Sequence, residues 1–142
     1  MTPLEILKSA RELLSDEARW TKWAFATPVV LAKRGDAVSS LPPSDPEARC
    51  FCVAGALMKA GGITSGYWSP GSDVGQPWDT VLDAAFTLAS IVAPLATDDD
   101  EEADGEDLVE VIAHFNDSPK TKHADVLAVL DKAIAIAEVA NA

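Results

Sequence analysis

Asp79-Thr80-Val81-Leu82-Asp83-Ala84-Ala85-Phe86-Thr87-Leu88-Ala89-Ser90-Ile91-Val92-Ala93 decides the fold class. Val81, Leu82, Ala85, Phe86, Ala89, Val92 and Ala93 recur at spacings of three and four, the period of one helix face. A helix starting near Pro77 or Trp78 therefore buries that face. The run from Val81 to Ala96 is the longest apolar stretch of the chain. It contains Asp83 and Pro94 and is too short to span a bilayer.

The same period continues on both sides. Thr2-Pro3-Leu4-Glu5 is a capping box with Pro at the first helical position, and Leu4, Leu7, Ala10 and Leu14 follow on one face. Asp16 is read as the cap of a second helix carrying Trp20 and Trp23, with Pro28 interrupting it and Thr27 as a new cap before Gly35. Residues 36 to 46 form a loop with Pro42, Pro43 and Pro46. Asp45-Pro46-Glu47 then starts a third helix that runs through Cys50 and Cys52 to Ala60 and stops at Gly61-Gly62. Residues 61 to 77 are a loop holding Tyr67 and Trp68. A short helix from Glu106 to His114 follows, then Asn116-Asp117-Ser118-Pro119 as a turn. Thr121 caps a last helix with the stripe Val126, Leu127, Leu130, Ile134 and Ala137. No segment shows sustained strand alternation. The expected fold is all-α: one compact domain over residues 1–142, a bundle of five or six helices with one acidic loop at 98–107.

Composition bounds the function. At 142 residues such a domain buries about 68% of its unfolded surface and needs no disulfide or metal to hold a core. The N-terminus has no basic region before an apolar core, so a cytoplasmic protein with free thiols is expected. The net charge is −12, which excludes ordinary binding to a nucleic-acid backbone. Asp98, Asp99, Asp100, Glu101, Glu102, Asp104, Glu106 and Asp107 hold much of that charge. Without them, 15 acids face 11 bases. This segment is the first candidate binding site, an electrostatic contact for a protein partner with a basic surface.

It also resembles a calcium loop. Asp100, Glu102, Asp104 and Gly105 fit the first positions of an EF-hand, but position 12 is Val111 and Glu110 falls one residue early. Cys50-x-Cys52 points two ways on a helix, and His114 and His123 add no ligand spacing. No metal site and no cofactor are expected.

Cys52, Gly55, Ala56 and Lys59 form one helical stripe. The first reading is packing: a Gly inside a helix costs about 1 kcal/mol relative to Ala, which makes sense where another backbone crosses closely. The alternative is a thiol-dependent hydrolase or transferase. Cys52 would be its nucleophile, His114 its base and Asn116 or Asp117 the orienting group. A position nearly two turns inside the helix argues against that activation. Trp20, Trp23, Tyr67, Trp68 and Trp78 are read as core. Their alternative is a small-ligand pocket between the Trp-bearing helix and the 61–77 loop.

Several of these elements recur in order: Trp23, Ala32 to Gly35, Cys52-x-x-Gly55-Ala56-Leu57, Asn116-Asp117, Thr121, and Val126-Leu127-x-x-Leu130. The chain resembles a family of small bacterial and phage-encoded proteins of unknown function. The resemblance implies one compact domain, a phage or mobile-element origin, and no particular reaction. The functional expectation is a small acidic cytoplasmic accessory protein that binds a host macromolecule rather than an enzyme.

Overall fold

The computed structural model describes residues 1–31, 40–73, 75–96 and 108–140. Residues 98–107, the acidic candidate site, lie outside them, as do residues 32–39, which cover the end of the restarted second helix and the start of the expected loop. Among the described residues five α-helices make the body: α1 (Pro3–Leu13), α2 (Val53–Ala60), α3 (Trp78–Ala96), α4 (Leu108–Asp117) and α5 (His123–Ala140). A two-residue antiparallel ribbon, β1 (Ala26–Thr27) with β2 (Cys50–Phe51), pairs Ala26 with Phe51 and Thr27 with Cys50. The all-α class and the packed bundle are as expected.

Local chemistry explains the first helix. The Thr2 side chain accepts from the Glu5 N–H at 3.1 Å, and the Glu5 carboxylate accepts from the Thr2 N–H at 3.3 Å. Both halves of the capping box are therefore present, and each satisfies an orphan backbone donor. Ile6, Leu7, Ala10 and Leu14 are buried and turn α1 toward α2, α3 and α5. On α3 the buried face is Val81, Ala84, Ala85, Leu88, Ala89 and Val92. Phe86, expected inside, is 63% exposed. The inward face is centred one position away from the reading, and Ala residues on several sides leave its direction weakly marked.

Two expected helices are corrected. Asp16 caps only a 3-10 turn, Glu17–Arg19, accepting from the Ala18 N–H at 2.9 Å. The Trp20 and Trp23 segment beyond it is extended and bent, not helical. Trp20 forms a parallel bridge with Phe51, and Trp23 adopts φ +67°. Thr27 lies in β1 and caps no helix. Likewise Asp45 holds a turn, accepting from the Glu47 N–H at 2.8 Å. The helix itself starts eight residues later because Cys50 and Phe51 are claimed by the ribbon. Pairing with a distant strand outweighed the local helix signal.

α4 runs three residues past His114, so Asn116 and Asp117 sit in its last turn and not in a loop. α5 starts at His123, two residues past the predicted cap Thr121. The Asp125 carboxylate accepts from the Lys122 N–H there at 2.9 Å. The 61–77 segment is a loop, and no strand occurs among its described residues. Its fold is fixed by Asp73, which accepts from the Ser69 hydroxyl at 2.6 Å and the Trp78 indole at 3.2 Å. The Ser69 hydrogen bond holds the Asp73 carboxyl below the usual carboxylate range.

Candidate functional site

Asn116 is the centre of the molecule's polar interior. It is fully buried, and all of its polar atoms are engaged. Its Oδ1 accepts from the Trp20 indole Nε1 at 2.8 Å and the Val53 N–H at 3.1 Å. Its Nδ2 donates to the Thr21 carbonyl at 3.1 Å and to Asp117 Oδ1 at 2.9 Å. Asp117 Oδ1 also accepts from the Trp23 N–H at 2.9 Å. One dipeptide at the end of α4 thus ties down the 20–23 segment and the first residue of α2. Trp20 is buried with its indole satisfied, which is the core role read for it. Trp23 differs. A bulky residue in the left-handed region is strained, and the hydrogen bond from its N–H to Asp117 helps hold it there.

Cys52 is the N-cap of α2, not an interior residue. Its Sγ accepts from the Gly55 N–H at 3.3 Å. Gly55 provides the predicted close approach, but the crossing backbone is not a helix. A Cβ added at Gly55 would lie 1.8 Å from the Phe25 carbonyl oxygen. That carbonyl also accepts from the Cys52 N–H at 3.3 Å.

The helix N-terminus favours a thiolate, yet burial outweighs it. Cys52 is 5% exposed. Burial raises its thiol, the Gly55 N–H partly opposes this and the nearby Asp117 charge adds a smaller rise, which together take it from 9.0 to about 12. Cys52, His114 and Asp117 do line one cleft, but no hydrogen bond joins them. Cys52 bonds to Gly55, Asp117 to Trp23 and Asn116, and Asn116 has no free valence for His114. His114 itself is exposed.

Two outcomes follow for the thiol. Iodoacetamide at neutral pH should leave Cys52 unmodified until the protein unfolds, read by mass spectrometry of the peptide. In alkali the unfolded chain releases this proton near pH 9 while the fold retains it to about 12. Stability is therefore lost as pH rises through that window, by about 1.4 kcal/mol per pH unit. A Cys52→Ala protein should lose most of that slope in urea unfolding at pH 9 and 10, the raised Cys50 thiol supplying the remainder.

The cleft has a volume of about 740 Å³. One face of α4 forms a wall: Glu110, Ala113, His114 and Asp117, at i, i+3, i+4 and i+7. Trp23, Phe25 and Tyr67 also line the cleft, and Tyr67 is 77% exposed. No Lys or Arg is among its described lining residues. Glu110 and His114 have no hydrogen bond or ion pair among the described residues. The cleft lies between the Trp23-bearing segment, the 61–77 loop and α4. It uses Trp23 and Tyr67, while Trp20 and Trp78 are buried in the core and Trp68 packs edge-on against Trp78 at 5.1 Å. Glu110 was missed as a lining residue. Its signal was the i, i+4, i+7 spacing with His114 and Asp117, hidden by ending the helix at His114.

No group of three or more His, Cys, Asp or Glu side chains among the described residues is placed to hold a metal ion. No described helix is long and apolar enough to cross a membrane. No curated protein and no solved structure matches the chain. A family model does match, described as a family of unknown function (DUF6197), over residues 1–136. The chain belongs to that family of unknown function.

Proposed function

We propose that the protein is a non-catalytic binding module that docks a positively charged segment of a protein partner in the α4 cleft. The observation that supports this reading is the cleft's chemistry. Two carboxylates from one helix face stand beside Trp23, Phe25 and Tyr67, with no Lys or Arg among the described lining residues. Such a site favours an ammonium or guanidinium group, through charge and through the ring faces. The net charge of −12 and the acidic residues Asp98 to Asp107 add long-range attraction. A phage- or mobile-element-encoded accessory protein acting on a host protein in the cytoplasm is the setting that suits this activity. The thiol-dependent hydrolase or transferase is the weaker reading, because Cys52 is buried, protonated and unlinked to His114.

The C-terminal amide of hexalysine is the first probe, with binding read by calorimetry at low and moderate salt. Glu110→Gln and Tyr67→Ala, both at exposed positions, should each weaken it about threefold. Exchanging the eight acids of 98–107 for Ser or Asn should instead slow association and flatten the salt dependence. An intact protein that ignores the probe at low salt would refute the reading. So would affinity indifferent to Glu110 and Tyr67.

A further inference from the structure

We propose that a second hollow adjoining the cleft is an anion subsite, so that the docked segment is a basic polypeptide C-terminus ending in a free carboxylate. The inference rests on the binding reading above and names its ligand more narrowly. The second hollow has a volume of about 550 Å³ and shares His114, Ser118 and Pro119 with the cleft. Those three residues form the ridge between the two spaces. Beyond the ridge, one face of α5 supplies Asp125, Ala128, Val129 and Lys132, again at i, i+3, i+4 and i+7. The turn after α4 supplies Lys120.

Charge changes sign across the ridge. The cleft side holds Glu110 and Asp117. The far side holds Lys120 and Lys132 against one carboxylate, Asp125. Asp125 accepts from the Lys122 N–H at 2.9 Å and keeps its charge, as Asp117 does on the cleft side, so the two lysines outnumber it. Neither Lys120 nor Lys132 has an ion pair among the described residues, in a chain whose net charge is −12. A third cation lies behind the turn: Lys22 Nζ donates to the Ser118 carbonyl at 2.7 Å and the Thr121 carbonyl at 3.4 Å. Ile91, Phe115 and Val129 give this hollow an apolar floor, which strengthens charge interactions made over it.

The complementary ligand has the reverse polarity, cationic side chains on one side and an anion on the other. Seven helical residues rise about 10 Å, so a ligand following both walls covers at most about 20 Å. That is the reach of about six extended residues. A polypeptide whose last residues are basic presents both charges within that length, with its terminal carboxylate in the Lys120–Lys132 hollow.

Hexalysine as the free acid, compared with its amide, isolates this subsite. General attraction to an acidic protein favours the amide, which carries one negative charge fewer. Tighter binding of the acid therefore reports a local anion site. The intact protein should prefer the acid by about tenfold, and a Lys120→Ala/Lys132→Ala protein should lose that preference while still binding the amide. Equal binding, or preference for the amide, overturns the subsite and leaves the cleft reading standing if Glu110→Gln still weakens the amide. Failure of both peptides to bind overturns both.

Discussion

Asn116→Ala is expected to cost about 3–5 kcal/mol of folding stability. The truncation leaves the Trp20 indole N–H and the Val53 N–H buried without an acceptor, and removes the donors to Thr21 and Asp117. Two orphaned donors at about 1–3 kcal/mol each, plus the lost volume, give that range. Domains of this kind hold about 5–15 kcal/mol in total, so the variant should unfold at much lower urea. Asn116→Asp separates the contributions. It retains the acceptor for Trp20 and Val53 but turns an oxygen toward the Thr21 carbonyl and the Asp117 carboxylate. It should be about as damaging as the alanine. A urea midpoint shift worth less than about 1 kcal/mol for the alanine variant would mean the network is replaceable by water, and the central role assigned to Asn116 would fall.

Gly55→Ala is the second large effect. The added methyl would meet the Phe25 carbonyl oxygen at 1.8 Å, backbone rather than a flexible side-chain tip. Relief requires moving Phe25, whose carbonyl also holds the Cys52 N–H, or shifting α2 within the core. A cost of about 3 kcal/mol or more is expected, with a fall in Tm of about 10 °C by calorimetry. Gly71→Ala is the control. Nothing lies within 4 Å of its added Cβ, so it should stay within about 0.5 kcal/mol of the parent. A mild Gly55→Ala would overturn the close approach of the Phe25 backbone to α2.

Features whose causes lie within four residues were legible in the sequence. The Thr2 and Glu5 capping box and the existence of α1, α3, α4 and α5 are of this kind. The helical path expected for Trp20 and Trp23 fails because their partners, Asn116 and Asp117, are more than ninety residues away. The third helix was started too early for a similar reason. Asp45-Pro46-Glu47 does turn the chain, but Cys50 and Phe51 answer to Ala26 and Thr27 across a long excursion. Cys52 as a helix cap escaped notice because sulfur stands outside the usual Ser, Thr, Asp and Asn set. The need for Gly55 was legible, its partner not, since a glycine announces a close approach without naming what comes near. For the cleft, residue types and spacing on α4 were in plain view, but the aromatics became neighbours only through the non-helical path of residues 20–25.

The Asn116-Asp117 dipeptide also bears on how this protein ages. Asparagine deamidates when the next residue's backbone nitrogen attacks the side-chain carbonyl carbon, closing a five-membered imide. Helical backbone holds that nitrogen away, and four hydrogen bonds fix the amide that would have to turn. The folded molecule thus protects its own most damaging chemical lesion. An unfolded chain loses that protection. The resulting aspartate or isoaspartate at 116 meets a site that suits neither, so the chain returns to the fold with much less stability and unfolds again more readily. Irreversible loss should therefore accumulate with time spent unfolded rather than with age alone.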